Sequence, residues 1–308
     1  MSLSQKLIPI KKYLTEPRHR FAVNTKLGIN NIISDKRYLK KMFKYRLGYE
    51  PDFDHPKTFN EKLQWIKLYD RQPIYTTMVD KYLVKDYVAG IIGAEYVIPN
   101  LGVWDRFDDI DFDALPEQFV LKVTHDSGGL VICKDKSKLD KAAAKKKIEK
   151  SLKSKYFYYG REWPYKNVKP RIIAEQYVSG ADGGDVADYK IHCSYGKPQF
   201  TLVCADRFAD TGFTQDFYSK DWEHYDVKRF TSKNAIKPQE RPAQLDLMYE
   251  LASKLSQNIP FVRVDFYIVE DKLYFGELTF FPANGFGPFS PKKYDRIFGD
   301  MITLPIEK

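Results

Sequence analysis

Two apolar runs, FVRVDFYIV (261–269) and KLYFGELTFF (272–281), are separated only by Glu270 and Asp271. Both are rich in β-branched and aromatic residues, and strands joined by so short a connection pair as antiparallel neighbours. The chain must therefore contain a β-hairpin over 261–281. With the turn centred between Glu270 and Asp271, position 265 pairs near 276, so Asp265 and Glu277 come to the same end of the hairpin. Two carboxylates in such surroundings repel unless a cation or an arginine lies between them. Mg²⁺ suits them, because it is a hard ion held by one or two carboxylates together with substrate phosphates. Arg263, two residues before Asp265, faces the same side of the strand and is placed to contact a phosphate. On spacing alone, a pair of structural ion pairs fits the same residues.

The hairpin closes a longer β-rich region. FVLKV, LVIC, RIIAEQYV, YKIHC and PQFTLVCAD are short runs bounded by Gly, Pro or Asp turns. Helical patterns surround and interrupt them. Arg37–Arg46 sets Tyr38, Met42 and Tyr45 on one face, and Thr58 with Glu61 three residues later forms a capping box. Asp80–Gly93 reads as a helix stopped by glycine. Lysine-rich Ser137–Lys155 reads as a helix with a solvated face, and Pro242–Ser256 is apolar at helical spacing. The class is α+β, with largely antiparallel sheet and helices on one side.

Two further constellations carry chemistry. Lys122 sits inside the apolar strand FVLKV, where an ammonium must escape to a face or meet an anion. His125-Asp126-Ser127-Gly128-Gly129 follows, a flexible turn of the kind whose backbone N–H groups wrap phosphate. No GxxxxGK[ST] loop is present, and a lysine at a solvent edge before a plain hairpin turn accounts for the same letters. In RIIAEQYVSGADGGDVADYKIHC (171–193), main-chain groups of a connecting strand over Glu175–Val178 can read an adenine edge. A carboxylate such as Asp182 can take ribose hydroxyls, although a simple loop between strands also fits.

Charge is distributed unevenly. Residues 1–50 hold twelve Lys/Arg against Glu16, Asp35 and Glu50, the whole of the net +9, and the other 258 residues carry 38 of each sign. A uniformly basic nucleic-acid-binding domain is therefore not expected. Cys133, Cys193 and Cys204 are too few for a disulfide framework, and there is no CxxC pair to suggest zinc. The start, MSLSQKLIPIKKYL, has neither signal- nor transit-peptide character, and no run of about 18 apolar residues occurs. A cytoplasmic protein without a transmembrane segment is the expectation, with peripheral contact at the inner face of the membrane in keeping with the basic N-terminus.

Taken in order, Asp80-Lys81, FVLKV, EQYVSG, RVDF and GELTF resemble the ATP-grasp superfamily of carboxylate–amine ligases. FNEKLQWIKLYDR, DYKIHCSYGKP and GELTFFPANGFGPFSP are similar to its teichuronopeptide-biosynthesis (TupA-like) family, which acts in bacterial capsule and cell-wall polysaccharide pathways. The resemblance covers roughly residues 40–305. It implies an ATP-grasp fold of two α+β subdomains clasping ATP (about 76–175 and 176–308), preceded by a helical basic region over 1–75. By matching position it implies that Lys81 and Lys122 contact ATP phosphates beside Ser127, Gly128 and Gly129. Glu175, Gln176, Tyr177 and Val178 line the adenine pocket, and Asp182 meets the ribose. Lys190 and Arg207 face the γ-phosphate, Arg263 lies near an acyl phosphate, and Asp265 and Glu277 hold Mg²⁺. D-alanine–D-alanine ligase has asparagine two residues after its second metal carboxylate, where this chain has Thr279, so Thr279 or a folded-back Asn284 supplies the third ligand.

The implied reaction joins a uronic-acid carboxylate of a surface polysaccharide to the amine of an amino acid through an acyl phosphate. His125, Arg161 and Tyr165 are candidates for substrate contact. A glycan kinase, a glycosyltransferase using the DxD-like acids at Asp108-Asp109 or Asp111–Asp113, and a non-catalytic binder of anionic polymers are the competing functions.

Overall fold

The computed structural model describes residues 12–178, 186–205 and 212–306. Two expected site residues, Asp182 and Arg207, lie outside the described residues. The N-terminal part is helical, as its pattern predicts. Helices α1 (Pro17–Lys26) and α2 (Asp35–Leu47) bury Phe21, Tyr38, Leu39, Met42 and Phe43 in a small core that also takes Phe286. Helix α3 (Phe59–Tyr69) begins at the expected capping box: Thr58 accepts from the Glu61 backbone N–H, and the Glu61 carboxylate accepts from the Thr58 backbone N–H. Two helices follow, α4 (Ile74–Val79) and α5 (Leu83–Ile92). Asp80 stands outside α5 and caps it, accepting from the backbone N–H groups of Tyr82 and Leu83 at 2.8 and 3.2 Å.

The smaller sheet contains β1 (Asn100–Trp104), β2 (Phe119–Val123), β3 (Leu130–Cys133) and β4 (Ile172–Gln176), in the order β1-β4-β2-β3 with every pair antiparallel. Phe119, Leu121 and Val123 of β2 point into a core shared with Ala144 and Ile148 of helix α6 (Lys141–Leu152). Side chains alternate along a strand, so Val120 and Lys122 are turned to the opposite face. The Lys-rich segment forms a shorter helix than Ser137–Lys155. Asp140 starts it by accepting from the Ala143 N–H at 2.9 Å, and a separate 3₁₀ turn occupies Lys136–Lys138.

The larger sheet contains β5 (Asp188–Ser194), β6 (Lys197–Ala205), β7 (Thr214–Ser219) and β8 (His224–Tyr225). It also contains β10 (Val262–Val269) and β11 (Lys272–Thr279), and the order is β11-β10-β5-β6-β7-β8, antiparallel throughout. A two-stranded ribbon joins β9 (Lys228–Arg229) to β12 (Phe289–Ser290). Helix α8 (Leu245–Leu255) buries Leu245, Met248, Leu251, Ala252 and Leu255 against this sheet. Phe59, Leu63 and Ile66 of α3 enter the same core, as does Phe298 of helix α9 (Lys293–Asp300). Strands β8, β9 and β12 are two residues long, too short for an alternating pattern to reveal, and β7 went unrecognised with them.

Candidate active site

Strands β10 and β11 pair Val269 with Lys272 and continue in register to Phe266 opposite Phe275. Continued regularly, that register would set Glu277 opposite Val264, whose side chain is buried in the core. A bulge intervenes at Gly276, and Glu277 instead stands opposite Asp265. One extra residue reverses the alternation, and this is what places both carboxylates on one face. A Cβ on Gly276 would lie 2.8 Å from the Tyr267 ring and 3.2 Å from the Asp265 carbonyl oxygen, so the bulge needs glycine there.

Rows of side chains cross the sheet at this point. Lys190, Asp265 and Glu277 occupy one row over β5, β10 and β11, and Arg263 and Thr279 are paired in the next. Arg263 lies between the carboxylates, as charge balance requires. Its Nη2 sits 2.6 Å from Asp265 Oδ2, 2.9 Å from Glu277 Oε1 and 3.0 Å from Thr279 Oγ1, while Nε donates to Asp265 Oδ1 at 2.6 Å. Lys190 Nζ reaches Asp265 Oδ2 at 2.6 Å and Asp188 Oδ2 at 3.3 Å. Burial pushes the wholly enclosed Asp265 carboxyl above the usual range despite both cations. Glu277 is 48% exposed to the cleft. Its surroundings would raise its pKa, but Arg263, Lys190 and Lys81 outweigh that and hold it at about 2.

The smaller sheet supplies a second ionic centre. Glu175, opposite Val120 in the β2–β4 register, is gripped by Lys122 and by Lys85 Nζ at 2.8 Å. Lys81 donates to the Asp126 carbonyl at the glycine-rich turn, and it feels the charges of Glu277 and Glu175. Ser127 and Gly128 are exposed at the tip of that turn, and the Gly129 N–H donates to Asp126 Oδ1. The two centres meet in adjoining cavities of about 80 and 210 Å³, which share Ile98, Lys122, Glu175 and Tyr267. The smaller is lined by Lys81, Lys85, Tyr165, Gly276 and Glu277. The larger is apolar where Val120, Leu130, Ile132 and Val178 line it, alongside Gln176 and Tyr177.

Three sequence expectations need correction. Arg161 is 1% exposed and far from free: it donates to the Asn30 carbonyl at 2.8 Å, lies 3.6 Å from Asp35 and stacks over Tyr38, so it fastens α2 and the turn before it to the body. His125 is buried with Nε2 against the Ser154 carbonyl at 3.0 Å. Asn284 does not fold back to the carboxylates; its side chain packs on Gly160, and its carbonyl accepts from Lys67 and Gln64. Tyr165 does line the cleft. The DxD-like acids are structural, with Asp108 paired to Lys145 and Asp111 accepting from the Asp113 and Ala114 N–H groups. Lys85 lies inside α5, four residues after Lys81 in the turn that precedes it, and nothing in the sequence pattern singles it out. Among the described residues, no group of three or more His, Cys, Asp or Glu side chains converges as a metal site, and no helix is long and apolar enough to cross a membrane.

A family model described as TupA-like ATPgrasp matches residues 61–303. No curated protein matches the chain. Among solved structures, D-alanine–D-alanine ligase from Helicobacter pylori is similar at 17% identity and a TM-score of 0.39, covering 73% of this chain and 63% of that one. The same ligase from Bacillus anthracis, complexed with ATP, gives 16% identity and 0.38, with 73% and 65% covered. D-cycloserine synthetase DcsG gives 15% and 0.36, with 68% and 64% covered. The chain thus spans just under two thirds of each of these ligases.

Proposed function

The chain belongs to the TupA-like ATP-grasp family, and from that premise we propose that it is an ATP- and Mg²⁺-dependent carboxylate–amine ligase. Its substrates are the carboxylate of a uronic acid in a bacterial surface polysaccharide or its precursor and the amine of an amino acid, joined in the cytoplasm at the inner face of the membrane. The observation that carries this reading is the bulge at Gly276, which gathers Asp265, Glu277, Arg263 and Thr279 beside the lysine-lined cleft.

In this reading the apolar cavity wall and the main chain at Gln176–Val178 take the adenine, while Asp182 takes the ribose. Lys81 and Lys122 neutralise the phosphates, and Glu175 keeps Lys85 and Lys122 oriented. Mg²⁺ fits Asp265, Glu277 and Thr279, since three hard oxygen donors already surround a single positive nitrogen at 2.6–3.0 Å. When bound it would disperse charge on the transferring phosphoryl group. Lys190 and Arg263 add fixed positive charge beside the same group, with Arg207 joining them, and catalysis of the first step is chiefly positioning and electrostatics. The substrate carboxylate attacks the γ-phosphorus and ADP leaves, giving an acyl phosphate; the amine then attacks its carbonyl, phosphate leaves, and the amine gives up a proton.

The test is incubation with Mg-ATP, a uronate oligosaccharide and a panel of amino acids. Amide formation with release of ADP and phosphate is expected. Phosphorylated glycan without amine dependence would make the protein a kinase, and turnover only with a nucleotide sugar would make it a glycosyltransferase. Asp265→Asn and Glu277→Gln abolish Mg-ATP turnover with the fold intact, and full activity in both variants removes the metal assignment.

A further inference from the structure

Arg229 is 4% exposed, and among the described residues no carboxylate lies within ion-pair distance of it. The other enclosed arginines differ in this respect. Arg171 meets Asp80 at 2.8 Å, Arg263 meets Asp265 at 2.6 Å and Arg161 lies 3.6 Å from Asp35. Asp295 acts on Arg229 electrostatically from beyond ion-pair distance, and its Oδ1 accepts from the Asn60 backbone N–H and side-chain amide, so no contact ion pair forms between them. A guanidinium taken out of water without a counter-ion is costly, and burial pushes this one down to about 9, with the charge of Arg263 adding to the effect.

The recess around Arg229 is nonetheless shaped for a guanidinium. The group lies over the rings of Phe289 and Phe59, at 5.0 and 5.6 Å, and Nη2 donates to the Pro282 carbonyl at 2.9 Å. It rests on Gly287, where a Cβ would come within 2.5 Å of Nε, and Nε has no hydrogen-bond partner. Ring faces, a glycine floor and one carbonyl hold the plane of the group without neutralising it. Arg229 also lines a cavity of about 410 Å³ with Gly212, Phe213, Gln215, Thr231 and Lys233, which adds a second cation to the wall. Nothing in the nucleotide cleft uses this arginine, yet its ribbon strand β9 pairs with β12, just past the loop that leaves Thr279.

We propose that Arg229 is a binding residue for a substrate carboxylate, so that the ion-pair partner the guanidinium lacks at contact distance arrives with the substrate. The inference rests on the ligase reading, in which both the uronate and the amino acid bring a carboxylate. A planar two-oxygen anion matches the end-on fork of a guanidinium held in one plane.

In the ligase assay, Arg229→Met is expected to raise KM for one of the two carboxylate-bearing substrates about tenfold or more, with KM for Mg-ATP within about twofold. The substrate whose KM rises identifies which carboxylate is held. Arg229→Lys, which keeps the charge and loses the planar fork, raises the same KM by a smaller factor. Unchanged KM values for both substrates in Arg229→Met overturn the proposal. A melting experiment separates it from the ligase reading: at equal ionic strength, acetate raises the melting temperature of the unmodified protein above its value in chloride. The difference is expected to vanish in Arg229→Met. No acetate effect, or one that survives in the variant, overturns the carboxylate site whether or not ligation is ever detected. An Arg229-dependent acetate effect with no ligation of any uronate overturns the ligase reading alone.

Discussion

Glu175 is charged in a place where burial alone would make it neutral. Its surroundings raise the carboxyl pKa, but Lys122 and Lys85 outweigh them, and the net result is a value below the ordinary one. A depressed folded-state pKa means that the ion pairs contribute fully above the unfolded value, near 4.5, and are lost as the pH falls through the folded one. Urea midpoints of the unmodified protein should therefore drop on acidification below this value, and those of Glu175→Gln should drop less over the same interval. An identical acid slope in the two proteins would sink the assignment. At pH 7 the same substitution leaves Lys85 buried without its acid and is expected to cost about 3–5 kcal/mol in urea unfolding. Arg229 has a different signature at this scale, a buried cation with no carboxylate at contact distance among the described residues. Neither behaviour is visible in the letters E or R, because both depend on which residues the sheets bring alongside.

Gly276 illustrates what the sequence pattern supplies at the scale of an element and what it omits. The hairpin, its turn at Glu270-Asp271 and the facing of Arg263 with Asp265 follow from strand periodicity. The bulge does not, since one unpaired residue leaves no mark on an alternation broken by a glycine, and the expected partner of Asp265 was position 276. Gly276→Val forces a side chain against the Tyr267 ring and the Asp265 carbonyl, displacing Glu277 by a fraction of its length. Turnover of Mg-ATP should fall by about a hundredfold with circular dichroism unchanged; full turnover would show that the bulge does not set the site. The capping box of α3 was legible because Thr58 and Glu61 act within one turn. Lys67 of the same helix was not, because the carbonyls it reaches, Gly160 and Asn284, are distant in sequence. Its ammonium, pushed down to about 7 by burial, donates to Gln64 Oε1 and to the carbonyls of Gly160 and Asn284 at 2.7–3.1 Å. Lys67→Met strands the Gly160 carbonyl and leaves that of Asn284 with Gln64 alone, loosening α3 from helix α7 (Phe157–Gly160) and the loop beyond β11, and should cost about 1–3 kcal/mol in urea unfolding. A midpoint within error of the unmodified protein would show that the staple contributes nothing.

For the whole molecule, the question is why a chain that is neutral beyond residue 50 carries all nine net charges ahead of it. The described basic residues of this region, including Arg18, Arg20, Lys26, Arg37 and Lys41, are exposed, while Phe21, Tyr38, Leu39, Met42 and Phe43 pack inward in one cluster with Phe286. Phe43 meets Phe286 edge to face with centroids 6.4 Å apart, and Tyr38 donates to the Tyr159 carbonyl at 2.9 Å. The charged helices are thus attached to the loop that leaves β11 and to α7. Each fixed cation acts over about 8 Å at physiological salt, too short a range to select a small substrate entering the cleft. A polymer bearing many carboxylates engages several such charges at once, and its encounter rate rises accordingly. Reversing Arg37 and Lys41 to glutamate should raise KM for a long polyuronate and flatten its dependence on salt, with KM for Mg-ATP and for a uronate disaccharide unchanged. Equal effects on the disaccharide would place the charges at the site itself. Unchanged KM and salt dependence for the polymer would mean that the basic region serves another surface, and binding of the same variant to anionic vesicles, measured by co-sedimentation, would then decide between a membrane contact and solubility alone.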